Sequence, residues 1–533
     1  TVTSPQGGSL TNNYDGFLSK GAIWSGDISG SVTQTYDNNF WITSRSVNGN
    51  AINYGYDNDA LLTQAGDLTV SREAQKGGLI NGTTLGTLTT SRSYNSFGEL
   101  QSYNANNGAN SLYSNAYVRD KLGRIKTHSE TIQGTTKNYE YDYDLAGRLR
   151  EIKTNAVVTA TYGYNNNGNR NGGTYDEQDR LLTWNGNSYT YTLNGELKTK
   201  IQAGATSTYI YDVIGNLTNV TLPGDVTIDY VIDGKNRRIG KKVNGTLTQG
   251  FLYKDQLNPI AELDGSNNVT ARFIYADKTN VPAYMIKGGK NYRIISDHLG
   301  SPRLVIDTTD GTIIQRMDYN VWGKVTLDTN PGFQPFGFAG GLYDQHTQLV
   351  RFGARDYDHE TGRWTNKDPI RFAGGDTNLY GYVLNDPVNL IDPFGLETYG
   401  ITFNVSAGWG VGGTAGVNFV ADSHGNVGVQ TVTGWGGDTP GLSGTVNAEY
   451  TNADTIMDLA GNGSQSGVDV GEGLIVEGGS MTGEGYSGAY VGFGVGAGPI
   501  PIGFSGYVTD TTSWLQINIM DLFEGLFIPP GDC

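Results

Sequence analysis

Tyr143-Asp144-Leu145-Ala146-Gly147-Arg148-Leu149 is the stretch that decides the fold. An aromatic residue is followed by an Asp, two variable residues, a Gly, a polar residue and an aliphatic one. Asp and Gly together make a tight turn: the short carboxylate bonds its own backbone further on, and Gly tolerates a positive φ. Tyr and Leu then stand on two adjacent strands. The pattern recurs as Tyr94-Asn-Ser-Phe-Gly-Glu-Leu100, Tyr175-Asp-Glu-Gln-Asp-Arg-Leu181, Tyr191-Thr-Leu-Asn-Gly-Glu-Leu197, Tyr211-Asp-Val-Ile-Gly-Asn-Leu217 and Tyr319-Asn-Val-Trp-Gly-Lys-Val325. Close neighbours are 16 to 20 residues apart, enough for two strands and two turns. One unit cannot bury its own apolar face, so units must stack into a continuous sheet. The tyrosines are then expected to align on a sheet face as cross-strand aromatic pairs.

Composition agrees with an all-β chain. Of 533 residues 37% are hydrophobic, 78 are Gly and 33 are Tyr, which is turn-rich and β-rich. The length calls for at least two domains. No apolar run approaches the roughly 20 residues of a membrane helix, and no signal peptide is visible. Thr1 opens on what reads as mid-repeat sequence, so an upstream segment is expected. Cys533 is the sole cysteine. It excludes a disulfide framework within the chain and a thiolate zinc site, and it reads as an exposed terminal thiol. His128, His346, His359 and His424 show no metal-ligand spacing. No metal or cofactor is expected.

Charge marks a boundary. Residues 397–533 hold no Lys or Arg and 14 Asp or Glu, leaving all 36 basic residues beside 39 acidic ones in 1–396. A nearly neutral part of net −3 therefore joins a part of net −14. Nucleic-acid binders take most of their affinity from Lys and Arg on phosphate, so residues 397–533 make a poor nuclease or deaminase.

The stretch before that boundary carries a further series. It runs Tyr292-Arg-Ile-Ile-Ser-Asp-His-Leu-Gly-Ser-Pro-Arg303, Phe338-Ala-Gly-Gly-Leu-Tyr-Asp344, Gly353-Ala-Arg-Asp-Tyr-Asp358 and Gly362-Arg363-Trp364. Then come Lys367-Asp368-Pro369-Ile370, Asn378-Leu-Tyr-Gly-Tyr382, Asn385-Asp386-Pro387-Val388-Asn389 and Asp392-Pro393-Phe394-Gly395-Leu396. Asp297, His298 and Ser301 read as turn chemistry, because a nucleophile–base–orienter line is assembled in space and not within five positions of one turn. Asp368 and Asp392 are, from the residues alone, Asp-Pro turn signals.

The repeats resemble the YD repeat of Rhs proteins, toxin-complex proteins and teneurins, and residues 292–396 resemble the Rhs-associated core domain. The resemblance implies a β-sheet spiral forming a hollow shell over 1–291, closed by a core domain at 292–396, with a variable C-terminal effector at 397–533. It implies that Asp368 and Asp392 act as an aspartic-protease-like pair cutting once between Leu396 and Glu397, with Arg363 supporting a carboxylate. The chain departs from the family after Asp368-Pro-Ile, reading Arg371-Phe372 where Gly-Leu is common. Two close carboxylates cannot both ionise cheaply, so one keeps a proton and the pair can act as base and acid. The resemblance also implies secretion, cell-surface display or delivery by a secretion system. The partners it implies are the chain's own cleaved fragment, a missing N-terminal shell fragment or delivery component, and a cognate immunity protein; the lack of Lys and Arg beyond residue 396 argues against nucleic acid as a partner.

Beyond Leu396 the residues speak alone. Ile401 to Phe419 alternates apolar with small or polar residues, which is strand periodicity. Asp422 to Asn426 reads as a hairpin turn, Ala489 to Ala497 repeats the scheme, and Asn452 to Ala460 reads as a short helix. A Gly-rich meander or barrel-like domain is expected. Three readings stay open for it: a membrane-inserting β-toxin, a soluble binding domain, or an enzyme. Asp454 with Asp458, and Glu472 with Glu477, read as solvated surface rather than a Ca²⁺ site. For the whole chain, a self-cleaving toxin stands against a cell-surface adhesion or carbohydrate-binding protein and against a purely structural shell.

Overall fold

The computed structural model describes residues 1–4, 8–16, 18–374, 376–396, 400–421, 426–451, 461–470, 473–483, 486–497 and 502–518, those beyond 400 by their backbone pairing. Among the described residues the regular structure is strand, with four short 3-10 turns. Two compact units divide the chain: Thr1–Pro369 with Tyr380–Gly395, and Ile370–Leu379 with Leu396–Cys533. Cys533, His424, Asp454, Asp458, Glu472 and the helix expected at Asn452 to Ala460 lie outside the described residues.

The first unit contains two 16-stranded antiparallel meanders, from Val2–Thr3 to Val157–Thr161 and from Gly173–Tyr175 to Val325–Asp328. Each strand pairs with its neighbours in sequence, as stacked hairpin repeats require. Both meanders are open: first and last strands do not pair, so neither sheet closes on itself. Residues 292–328 continue the second sheet without interruption.

The repeat motif builds one edge of each sheet. Asp144 Oδ1 accepts from the Ala146 and Arg148 amides at 3.0 Å each, and Oδ2 accepts from Arg148 Nε at 2.7 Å. The Asp144 amide donates to the Arg148 carbonyl and the Gly147 amide to the Asp144 carbonyl. The same closure is made by Asp120, Asp176 and Asp212, and by Asn95, Asn165 and Asn320. Gly147 sits at φ +85°, where a side chain is strained. Asp179 at φ +60° and Asn236 at φ +68° fill the same slot, consistent with the tolerance of Asp and Asn for the left-handed region.

The tyrosine works differently from the expectation. Tyr143 Oη donates to the Ile125 carbonyl at 2.7 Å, just past the preceding turn. Tyr36, Tyr94, Tyr164, Tyr253 and Tyr275 reach back in the same way to Ser19, Ile80, Leu149, Arg238 and Pro259. The ring faces are taken by cations of the preceding turn: Arg124 lies 4.4 Å over Tyr143, Arg148 4.7 Å over Tyr164 and Arg237 5.0 Å over Tyr253. The motif tyrosines thus pin one repeat to the one before it. They do not form a ladder of rings, because the polar residue ahead of the Leu supplies a better partner for the face.

The two sheets share apolar cores. Leu10, Trp24, Ile28 and Val32 pack with Phe251, Leu252 and Ile260. Leu88, Tyr103 and Tyr113 pack with Ile295, Leu304 and Ile306. Between them Asp277 is buried against Arg92 at 2.6 Å and Arg293 at 3.2 Å. Burial pushes its carboxyl up, but Arg293 and Arg92 outweigh that and hold it well below the usual carboxylate range.

The second unit holds a six-stranded antiparallel sheet. Gly400–Ala421 pairs with Asn426–Thr451 along its whole length, and residues 422–425 of the expected turn lie outside the described residues. The rest is no simple meander. Asn426–Thr451 also pairs with Tyr486–Ala497 and with Ile502–Asn518. Those two are linked through Gly473–Gly483 and Gly461–Val470, so the pairing returns on itself as a ring.

Asp144→Ala removes two backbone acceptors and an ion-pair partner, whereas Asp144→Asn keeps the turn acceptor that Asn165 and Asn320 use. Urea unfolding is expected to show a loss of about 1–3 kcal/mol for the Ala variant. The Asn variant is expected to lose less than half of that; equal losses would mean that the carboxylate does not close the turn.

Candidate functional site

A four-stranded sheet, Leu342–Tyr343, Val350–Phe352, Arg355–Asp358 and Arg363–Trp364, carries the site. Its aromatic floor packs Phe338, Phe352, Tyr357, Trp364 and Tyr382 together. The segment lies along the turns of the repeats. Asn389 Oδ1 accepts from the Ile125 amide at 2.7 Å and its Nδ2 donates to Tyr143 Oη at 2.8 Å. Asn385 donates to the Gly168 carbonyl, Tyr380 to that of Gly195 and Asn366 to that of Gly215. Arg351 donates to Asn216, and Asp356 takes Arg238 at 2.9 Å.

Asp368 and Asp392 come together on one cation. Arg355 Nη2 lies 2.6 Å from Asp368 Oδ2 and 3.1 Å from Asp392 Oδ2. Because one nitrogen makes both contacts, the two carboxylates are side by side. All three side chains are largely buried, at 3%, 8% and 13% exposure for Arg355, Asp368 and Asp392. The guanidinium also lies 4.2 Å over the Trp364 ring. Asp392 Oδ1 accepts from the Gly395 amide at 2.6 Å, which folds 392–395 into a turn. That turn is held against the loop ahead of Arg355, where the Ala354 amide donates to the Phe394 carbonyl at 2.9 Å. A Cβ on Gly353 would stand 2.4 Å from that carbonyl oxygen, so only Gly lets the two backbones meet. Burial, with Tyr357 and Asp392 adding to it, pushes the Tyr382 hydroxyl well up.

Arg363, expected beside the first aspartate, donates to Asn169 Oδ1 at 2.6 Å and to the Asp179 carbonyl, and its guanidinium faces Tyr175 and Tyr380. The cation that bridges the two carboxylates is Arg355. Arg355 was visible in the Gly353 to Asp358 motif, but sequence offers no signal that a strand-opening Arg would face two residues 13 and 37 positions on. Leu396 is described and Glu397 is not. Asp386 serves a turn, accepting from the Asn389 amide at 3.2 Å.

The triad-like set resolves into turn chemistry. Asp297 Oδ1 accepts from the Leu299 and Ser301 amides, Ser301 Oγ accepts from the Ala339 amide, and His298 Nε2 bonds the Val388 carbonyl. Among the described residues no group of three or more His, Cys, Asp or Glu is placed to hold a metal. Also among them, no helix is long and apolar enough to cross a membrane.

An arginine shared by two carboxylates offsets their mutual repulsion. Arg355→Met is expected to reverse that. With the cation gone, burial and mutual repulsion raise the pair above the ordinary carboxylate value of about 4. Stability is then kept below that value and lost as pH rises through the raised one. The deficit relative to wild type in urea melts should be small near pH 4 and about 3–5 kcal/mol near pH 8; a deficit independent of pH would place the bridge elsewhere.

Residues 2–388 match the sequence profile described as Teneurin YD-shell. Teneurin-3 of Danio rerio is 31% identical over 300 residues, covering 51% of this chain and 11% of that protein. The tRNA3(Ser)-specific nuclease WapA of Bacillus spizizenii is 27% identical over 287 residues, covering 52% of this chain and 11% of that one. The chain thus spans about a tenth of the length of these relatives. The crystal structure of TcdB2-TccC3 superposes with a TM-score of 0.52 over 74% of this chain and 24% of that one. At 18% identity this is a likeness of fold.

Proposed function

The chain belongs to the teneurin YD-shell family, the Rhs/YD-repeat proteins, and on that premise we propose that it is the C-terminal part of an Rhs-type toxin whose shell carries and releases residues 397–533. The observation that carries the reading is the meeting of Asp368 and Asp392, 24 residues apart in sequence, beside the turn that leads to Leu396. One carboxylate takes a proton from water, and the other, once protonated, polarises the carbonyl of Leu396. Arg355 restrains the pair in the charged state, so release of one carboxylate from Arg355 precedes the step. Tethering the peptide to its own scissors supplies a high effective concentration for a single turnover. The product fragment stays as a partner of the shell, with further shell or delivery components and an immunity protein outside this chain.

The effector is read as non-enzymatic, acting on a membrane or by binding. The nuclease activity named for WapA is not carried over, since residues 397–533 lack any Lys or Arg to meet phosphate. The ring of strand pairing supports a barrel-like domain, with no unpaired edge inside the ring. Delivery to the cell surface or outside the cell is part of the same proposal.

On a denaturing gel the wild type is expected to give pieces of 396 and 137 residues, while Asp368→Asn and Asp392→Asn each leave one chain of 533. A wild type that stays whole after long incubation sinks the reading. Liposomes loaded with dye and given roughly micromolar 397–533 leak if the effector inserts as a barrel; tight liposomes leave the binding role.

A further inference from the structure

A cavity of about 350 Å³ opens in the first unit between the strands Ile125–Ile132, Thr135–Tyr143 and Leu149–Thr154 and the turn that starts at Asp297. It belongs to neither the aspartate pair nor the effector. Its size is at the small end of ligand sites. His128, Glu130, Tyr139, Tyr141, Asp297 and Arg303 stand in its wall.

A hydrogen-bond relay fixes what this wall offers. Arg303 Nη1 lies 2.7 Å from Glu130 Oε1 and opposes the burial that pushes this carboxyl up. Tyr113 Oη donates to Glu130 at 3.0 Å, so its oxygen is free to accept from Asn115 Nδ2 at 2.7 Å. That turns Asn115 Oδ1 toward His128 Nε2, 2.7 Å away, and Nε2 must carry the proton. His128 Nδ1 is therefore a lone-pair acceptor, and it has no hydrogen-bond partner among the described residues although the residue is only 8% exposed. Burial, His298 and Arg303 hold the imidazole well below its usual pKa, so it stays neutral. Asp297 uses Oδ1 in its turn and leaves Oδ2 without a partner among the described residues. The Tyr139 and Tyr141 hydroxyls likewise meet none there. The cation in the wall is already engaged: Arg303 also donates to the Met317 carbonyl and to Asp318. Lys278, behind the turn, donates to the backbone carbonyl of Asp297 and to Ser296 Oγ, not to the carboxylate.

The wall therefore sets a carboxylate oxygen of Asp297 and a lone pair of His128, both unanswered, among aromatic rings, while the cations Arg303 and Lys278 bond other atoms. We propose that this cavity is a binding site for a small organic ammonium ion, held by Asp297 and His128 as acceptors with the tyrosine rings around its carbon body. An anion would face the Asp297 carboxylate oxygen and the His128 lone pair, both acceptors. A neutral polyol gains the hydrogen bonds without the Coulomb attraction.

Calorimetric titration of the full chain tests this with three probes of similar size: tyramine, 4-hydroxyphenylacetate and glucose. Tyramine is expected to saturate one site, while the other two bind at least tenfold more weakly, about the factor one exposed charge contact supplies. Asp297→Asn keeps the turn, since Asn95 and Asn320 close theirs with the same atom. It should weaken tyramine roughly tenfold at unchanged thermal stability. The proposal is overturned if tyramine gives no saturable heat at millimolar concentration. It is equally overturned if 4-hydroxyphenylacetate or glucose binds as tightly as tyramine, or if the folded Asn variant binds tyramine like wild type. Should that variant fail to fold, the comparison of the three probes on wild type decides alone.

Discussion

One carboxylate closing one five-residue turn is the interaction on which the shell depends. Asp144 satisfies two backbone amides that would otherwise face outward, and at the same time fixes Arg148 over the next tyrosine. The tyrosine of that next repeat, Tyr164, then bonds the carbonyl of Leu149, which opens the strand after the turn. Turn closure, cation placement and repeat-to-repeat attachment are thus one linked event. Each bond is worth only about 1 kcal/mol net. Their value lies in being repeated at many turns, which leaves register few cheap alternatives.

The repeat, the all-β class and the change at 397 were legible because each is written in local chemistry. A Tyr-Asp-x-x-Gly unit folds the same way wherever it occurs, and a sudden loss of all basic residues needs no structure to be seen. The ring ladder was misread for the opposite reason. Which partner covers a tyrosine face depends on competition between a neighbouring ring and a cation, and Arg124 over Tyr143 wins by geometry that spacing does not encode. Likewise the two aspartates could be named from motif positions, but their cation could not. Arg363 lies five residues from Asp368 and faces Asn169, whereas Arg355 lies farther off and bridges both. Proximity along the chain is a poor guide where a sheet strand alternates its side chains between two faces.

The aspartate pair and the cavity near His128 solve the same electrostatic problem in two ways. In the first, a central arginine offsets one of two negative charges that burial disfavours. In the second, Glu130 bonds Arg303 directly, while no cation hydrogen-bonds the Asp297 carboxylate and a neutral imidazole adds a lone pair in the same wall. A shared cation in one place and an unanswered carboxylate oxygen in the other give the two sites different chemistry on one scaffold.

The contacts between the segment 351–389 and the repeats have a consequence for how the shell can vary. Asn389, Asn385, Tyr380 and Asn366 bond the backbone or tyrosine of different turns, spread from Ile125 to Gly215. Such a segment works as a gauge against a toothed edge. Insertion or deletion of a repeat between residues 125 and 215 would put every later tooth out of step, while one added before residue 125 would leave the gauge undisturbed. Duplication inside that stretch is therefore barred by the gauge, and duplication before it is limited only by the packing of the first sheet on the second.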